Sequence, residues 1–146
     1  MSEANKITSL MVKDHCKIEK LLDELEVNAK KEYSIMTKSF YKFEWGLEKH
    51  IFVEEKAIFT SYNPEDVTEG YKMLPALTQQ HNVILNKLNN LRTDIRNNRN
   101  IRDIYEFKEF LIKHKNFEEK EVYPKLDETL DEKQKKLIVD RISQLI

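Results

Sequence analysis

Apolar positions along this chain recur three and four residues apart, the rhythm of a helix with one buried stripe. From about Thr8 to Asn28 the stripe is Met11, His15, Ile18, Leu22 and Leu25. Asn28 to Ser34 breaks the rhythm and reads as a turn. From about Ile35 to Ser61 the stripe is Met36, Phe40, Phe43, Leu47, His50, Glu54 and Ala57. From about Lys72 to Asn97 it is Leu74, Leu77, His81, Ile84, Leu88, Leu91 and Ile95. From about Ile101 to Val122 it is Ile104, Phe107, Leu111, His114, Glu118 and Glu121. A last amphipathic piece, about Asp131 to Leu145, carries Leu137, Ile138, Ile142 and Leu145 and suits the outside of a bundle. The pattern predicts an all-α, up-down four-helix bundle over about 8–126 with a short C-terminal helix, all within one domain, 1–146.

The punctuation agrees with that reading. Thr8 or Ser9 is placed to cap the first helix. Asn63-Pro64-Glu65-Asp66 offers a cap, a proline for a first turn and two acids for the helix dipole, with a short helical turn expected before Gly70. Asn97 to Asn100 reads as a turn. Pro124 is expected to end the fourth helix.

The stripes are unusual in what they contain. All four histidines of the chain lie on them, with two glutamates. A buried ionised carboxylate is costly unless it is paired or bound to a metal. His50 and Glu54, like His114 and Glu118, are four residues apart and so share a helix face one turn apart. The arrangement is also duplicated. His15, Ile18, Leu22 and Leu25 match His81, Ile84, Leu88 and Leu91 in spacing, and Phe43 to Lys56 matches Phe107 to Lys120. Each half is a helical hairpin with one histidine on its first helix and His-x-x-x-Glu on its second.

Position along the bundle supports a meeting of these residues. In an up-down bundle, residues equidistant from a turn lie at one level. The midpoints of His15/His50, His50/His81 and His81/His114 fall at 32.5, 65.5 and 97.5. Each lands in an expected turn. The four imidazoles should form one layer, with Glu54 and Glu118 one turn away. Such a donor set suits two ions of intermediate hardness, iron or manganese best, with zinc as a substitute. The carboxylates would bridge the ions and two histidines would complete each.

Other polar residues have simpler readings. A His–Glu pair at this spacing is common by chance, as His15 and Glu19 illustrate, and Glu19 is read as solvated or as an outer neighbour. Glu55 and Glu119 lie off the stripe and read as outer acids. Tyr41, Tyr105 and Tyr123 are two or more turns from the layer and receive no chemical role. Cys16 follows His15 directly and reads as a small flanking residue.

Composition narrows the alternatives. The chain has 146 residues, with 25 Lys+Arg against 26 Asp+Glu, so its charge makes no case for nucleic acid. Only 2 glycines and 3 prolines interrupt it, which favours long helices. No apolar run approaches the ~20 residues of a membrane span. The N-terminus lacks a signal-peptide pattern and one cysteine cannot form an internal disulfide, so the expected compartment is the cytoplasm. Ferritin-type Glu-x-x-His is absent, since Val12, Leu47, Thr78 and Leu111 stand three residues before the histidines. The His-Glu-x-x-His zinc motif is absent too.

The ordered set His15, His50-x-x-x-Glu54, His81, His114-x-x-x-Glu118 resembles the hemerythrin family, specifically the hemerythrin-like HHE cation-binding domain, over about residues 8 to 126. The resemblance implies a four-helix bundle with a non-haem di-iron centre, oxo- or hydroxo-bridged, held by His15, His50, Glu54, His81, His114 and Glu118. It implies O2 as the ligand in the carriers, and oxygen, iron or redox sensing or the handling of NO or peroxide in related domains. Two features depart from the carriers. The carriers have a fifth histidine one turn before the position of His81, where this chain has Leu77. They also place the last acid five residues after its histidine, where this chain has Glu119. Glu118 is preferred here because it lies on the stripe and repeats Glu54. The first functional expectation is therefore a di-iron protein binding O2 or a related small ligand for sensing, storage or carriage. The rivals are a di-iron enzyme acting on peroxide or NO, and an iron-responsive interaction module with a protein partner that no residue identifies.

Overall fold

The computed structural model describes residues 6–59, 74–102 and 104–145. The expected cap at Asn63-Pro64, the turn before Gly70 and the midpoint at 65.5 lie outside the described residues. Helix α1 spans Lys6–Asn28 and α2 spans Tyr33–Val53. Helix α3 spans Leu74–Arg96 and α4 spans Ile104–Phe117. Helices α5, Tyr123–Thr129, and α6, Glu132–Leu145, follow. Among the described residues there is no strand. Each bundle helix packs on the next, and α4 returns to α1, which closes the ring expected of an up-down bundle.

The core has two apolar clusters. One gathers Ile18, Leu22, Phe40, Phe43, Leu88 and Phe107 near the α1–α2 and α3–α4 turns. The other gathers Met11, Val53, Leu77, Val122, Leu126 and Ile142 at the opposite end. On α1, α3 and α4 the histidine stands where one cluster stops and the other begins. Burying each Leu, Ile or Phe contributes ~1.5–3 kcal/mol, so two apolar blocks clamp the polar layer between them.

Two departures from regular α-helix matter most. Both α2 and α4 continue into a single π-helical turn, Glu54–Ile58 and Glu118–Val122. The Phe59 and Tyr123 N–H groups reach back five residues to the Glu54 and Glu118 carbonyls. The two π turns occupy equivalent places in the repeat, and each begins at the stripe glutamate. A π turn takes one extra residue and so rotates the following buried face by one position. Ala57 and Ile58 are therefore both buried. For the same reason Glu121, expected on the stripe, is exposed, and Val122 is buried in its place.

Other local expectations are corrected. Pro124 does not end the helical path but sits in the first turn of α5, where a missing N–H leaves no bond unmade. Thr8 and Ser9 lie inside α1 rather than capping it. The early N–H groups of α1 are met from α5 instead. The Ile7 and Thr8 N–H groups donate to the Asp127 carboxylate at 3.1 and 2.9 Å, and the Thr8 hydroxyl donates to it at 2.6 Å. A carboxylate at a helix N-terminus also opposes the helix dipole favourably. In α6 the buried face is Ile138, Val139 and Ile142, while Leu137 is half exposed. That face completes the second cluster rather than lying outside the bundle.

Candidate metal centre

The bundle brings the six stripe residues together. His15, His50, His81 and His114 are buried, and Glu54 and Glu118 have no solvent exposure. They form two overlapping donor sets. One is His15, His50, Glu54 and Glu118, and the other is Glu54, His81, His114 and Glu118. Within each set the donor atoms lie within 4.8 Å of one another. Donors held ~2.0–2.2 Å from one ion span about 4 Å across it. Both sets are therefore able to hold a metal ion, and the glutamates are common to both.

Ring orientation follows from the outer partners. The Nδ1 of His50 lies 2.6 Å from Asp14 and that of His15 lies 2.7 Å from Glu119. The Nδ1 of His81 lies 3.3 Å from Glu55 and that of His114 lies 2.5 Å from the Gln80 amide oxygen. Oxygens of this kind accept, so each Nδ1 carries the donating hydrogen, and a ring in its neutral form presents its Nε2 lone pair inward. The four partners follow the repeat. Asp14 and Gln80 precede the first histidine of each half and orient the second. Glu55 and Glu119 follow the second histidine of each half and orient the first histidine of the other half.

The inward atoms are poorly served by the chain itself. His81 Nε2 is 2.7 Å from Glu54 Oε1, yet neither atom has a partner with hydrogen-bond geometry. His114 Nε2 and both Glu118 oxygens are likewise buried without one. The Nε2 atoms of His15 and His50 face each other at 3.1 Å, which opposes lone pairs when both rings are neutral. Buried polar atoms are nearly always satisfied. Four imidazoles and two carboxylates with inward lone pairs fit bound cations, one in each donor set.

Protons are the chain's alternative means of balancing the charge. Burial is the largest influence on His50 and opposes its charging. The Asp14 hydrogen bond and the fields of Glu54 and Glu118 outweigh it, and the ring is pushed up to about 9. His81 is also raised, against burial, by the close approach and negative charge of Glu54. Burial and then repulsion from Glu118 raise Glu54 above the usual carboxylate range. Burial works on Glu118 too, but the close approach of Glu54, His114 and His15 holds it well below that range.

Tyr123 corrects the expectation that no tyrosine has a place here. It is fully buried and its hydroxyl donates to Glu54 Oε2. Its ring centroid is 5.8 Å from that of His15. Burial and the charges of Glu118 and Glu54 raise its phenol well above the ordinary value. The π turn is the reason. Tyr123 follows Glu118 by five residues, a spacing that an α-helix turns aside and a π turn keeps on one face. Asp14 and Gln80 were also missed, and the only signal for them was that both precede a stripe histidine. Glu55 and Glu119 stand as the outer acids expected. Glu19 pairs with Lys115 and is in neither donor set. Cys16 is exposed. Leu77 is buried in the apolar cluster one turn from His81.

The chain matches the family model of the hemerythrin HHE cation binding domain over residues 6–126. It belongs to that family. No curated protein and no solved structure matches it. Among the described residues no helix is long and apolar enough to cross a membrane.

Proposed function

We propose that this chain works as a single hemerythrin-like domain holding two non-haem iron ions, with O2 or a related small ligand such as NO or peroxide bound for sensing, storage or carriage. The observation that carries the reading is the pair of four-residue donor sets sharing Glu54 and Glu118. His15 and His50 would serve one ion, His81 and His114 the other, and the two carboxylates both. The iron pair, when bound, supplies one-electron chemistry toward O2 that side chains lack. The chain supplies orientation through Asp14, Gln80, Glu55 and Glu119, a hydrogen bond from Tyr123 to Glu54, and apolar clusters on both faces of the layer. A lone exposed thiol suits the reducing cytoplasm as the working compartment.

Iron content and the ultraviolet-visible spectrum of reconstituted protein test this. About two irons per chain with ferric bands in the near ultraviolet are expected, lost in His50→Ala and Glu118→Ala. A colourless protein without stoichiometric metal, equally stable with chelator, would sink the reading. Reduction and re-exposure to O2 then separate roles. A reversible spectral cycle supports carriage or sensing. Leu77 favours a second reading, since it cannot ligate where the oxygen carriers have a histidine and so leaves one ion with a donor fewer. That reading is a di-iron enzyme acting on peroxide or NO, and sustained turnover of either would establish it.

A further inference from the structure

A cavity of about 340 Å3 adjoins the histidine layer. Its walls are apolar, with Ile18 and Leu22 from α1, Leu47 from α2, Ile84 from α3 and Leu111 from α4. Its inner end reaches His15, His50 and His114. Its outer end is bordered by Glu19, Asp23, Lys108 and Lys115. A diatomic molecule occupies space on the order of the ~30 Å3 share of one water. The cavity is far larger than that and falls at the lower end of the ~300–1,000 Å3 typical of organic ligand sites.

Charge at the mouth narrows the ligand class. Lys115 pairs with Glu19, and Lys108 pairs with Asp23 at 3.3 Å and Glu26 at 3.0 Å. Both cations are already neutralised, so the mouth offers no net attraction to an anionic head group. These pairs cross from α4 to α1 and are partly exposed. Pairs of that kind contribute little to stability. We propose that the cavity is a binding site for a neutral, mainly apolar organic molecule of about ten heavy atoms, with its polar group toward the histidines. The site is built by the apolar walls and does not depend on which metal the layer holds.

Methyl NMR of the full chain, metal-free and zinc-loaded, tests this with p-cresol as the probe. Saturable shifts are expected at the Ile18, Leu22 and Ile84 methyls in both forms, with none at Ile138 and Ile142 in the far cluster. Leu111→Phe, at a half-buried wall position, should weaken binding about tenfold or more. Leu22→Phe fills the same space from the opposite wall and serves if the first variant folds poorly. The anion p-toluate, of similar size, should bind about tenfold more weakly than cresol. Shifts that never saturate, or that spread equally over both clusters, overturn the proposal. So does unchanged affinity in both variants, or toluate binding as tight as cresol. Cresol binding only with zinc and regardless of both variants would place the capture on the metal and overturn it as well. The metal-free arm keeps this outcome separate from the fate of the di-iron reading.

Discussion

The two hairpins, α1–α2 and α3–α4, carry the same donors in different settings. In the first, His50 is oriented by the carboxylate of Asp14, and the His15 and His50 rings approach to 4.6 Å between centroids. Both rings also border the cavity. In the second, His114 is oriented by the neutral amide of Gln80, and Phe59 stacks on His81 at 5.5 Å and 12°. The turns differ as well. The first turn is tied by Asn28 donating to the Ser39 hydroxyl at 2.5 Å, whereas the second is built on Asp94. Asp94 accepts from the Arg102 N–H at 3.1 Å and pairs with Arg99 and Arg102, and Asn98 takes a left-handed φ of 56° beside it. Repetition of a spacing thus equalises the inner donors, while the residues one shell out make the two halves chemically distinct.

The largest expected effect removes the distinction altogether. Glu54 and Glu118 belong to both donor sets, so Glu118→Ala should abolish metal binding in both halves, whereas His114→Ala should spare the ion of the first. Metal analysis after gel filtration reads the difference. Equal losses in the two variants would mean that the halves do not bind separately.

The next effect exploits Asp14 and Gln80. Asp14→Ala should weaken metal affinity about 10–100-fold, as loss of an orienting partner commonly does. Gln80→Glu should make the second half resemble the first and strengthen it by a smaller factor. Competition with a chelator of known affinity measures both. An Asp14 variant with unchanged affinity would leave that carboxylate a bystander.

Smaller effects concern the turn and the phenol. Burial would raise the Asp94 carboxyl, but the Arg102 backbone and side chain, then Arg99, outweigh it and hold the group below its usual value of ~3.9. Its stabilisation is therefore complete above the unfolded value and is lost as pH falls through the folded one. Asp94→Asn should cost about 1–2 kcal/mol near neutral pH and flatten the acid limb of a melting-temperature profile. Tyr123→Phe leaves Glu54 without its donor and should cost on the order of 1 kcal/mol in thermal unfolding of the metal-free chain. A melting temperature that does not change would make that hydrogen bond dispensable.

Much of this was legible before any coordinates. The three-and-four rhythm identified the bundle helices because a buried stripe repeats with the helical turn. The level of His15, His50, His81 and His114 followed from chain length between turns. Less legible were the outer partners. Asp14 and Gln80 look like ordinary flanking residues in a chain rich in polar side chains, and only the approach of a neighbouring helix turns them toward a ring.

The order of the donors, their duplication and their burial on one stripe were determined by the sequence alone, because helix periodicity makes them inescapable once the helices form. The π turns were decided only in the tertiary structure. Each stands where its helix passes from one apolar cluster to the other, and no local pattern in Glu54–Ile58 or Glu118–Val122 announces it. From those turns follow the exposure of Glu121, the burial of Val122 and the arrival of Tyr123 at Glu54. A fixed period of 3.6 residues cannot foresee a place where the chain spends one residue more.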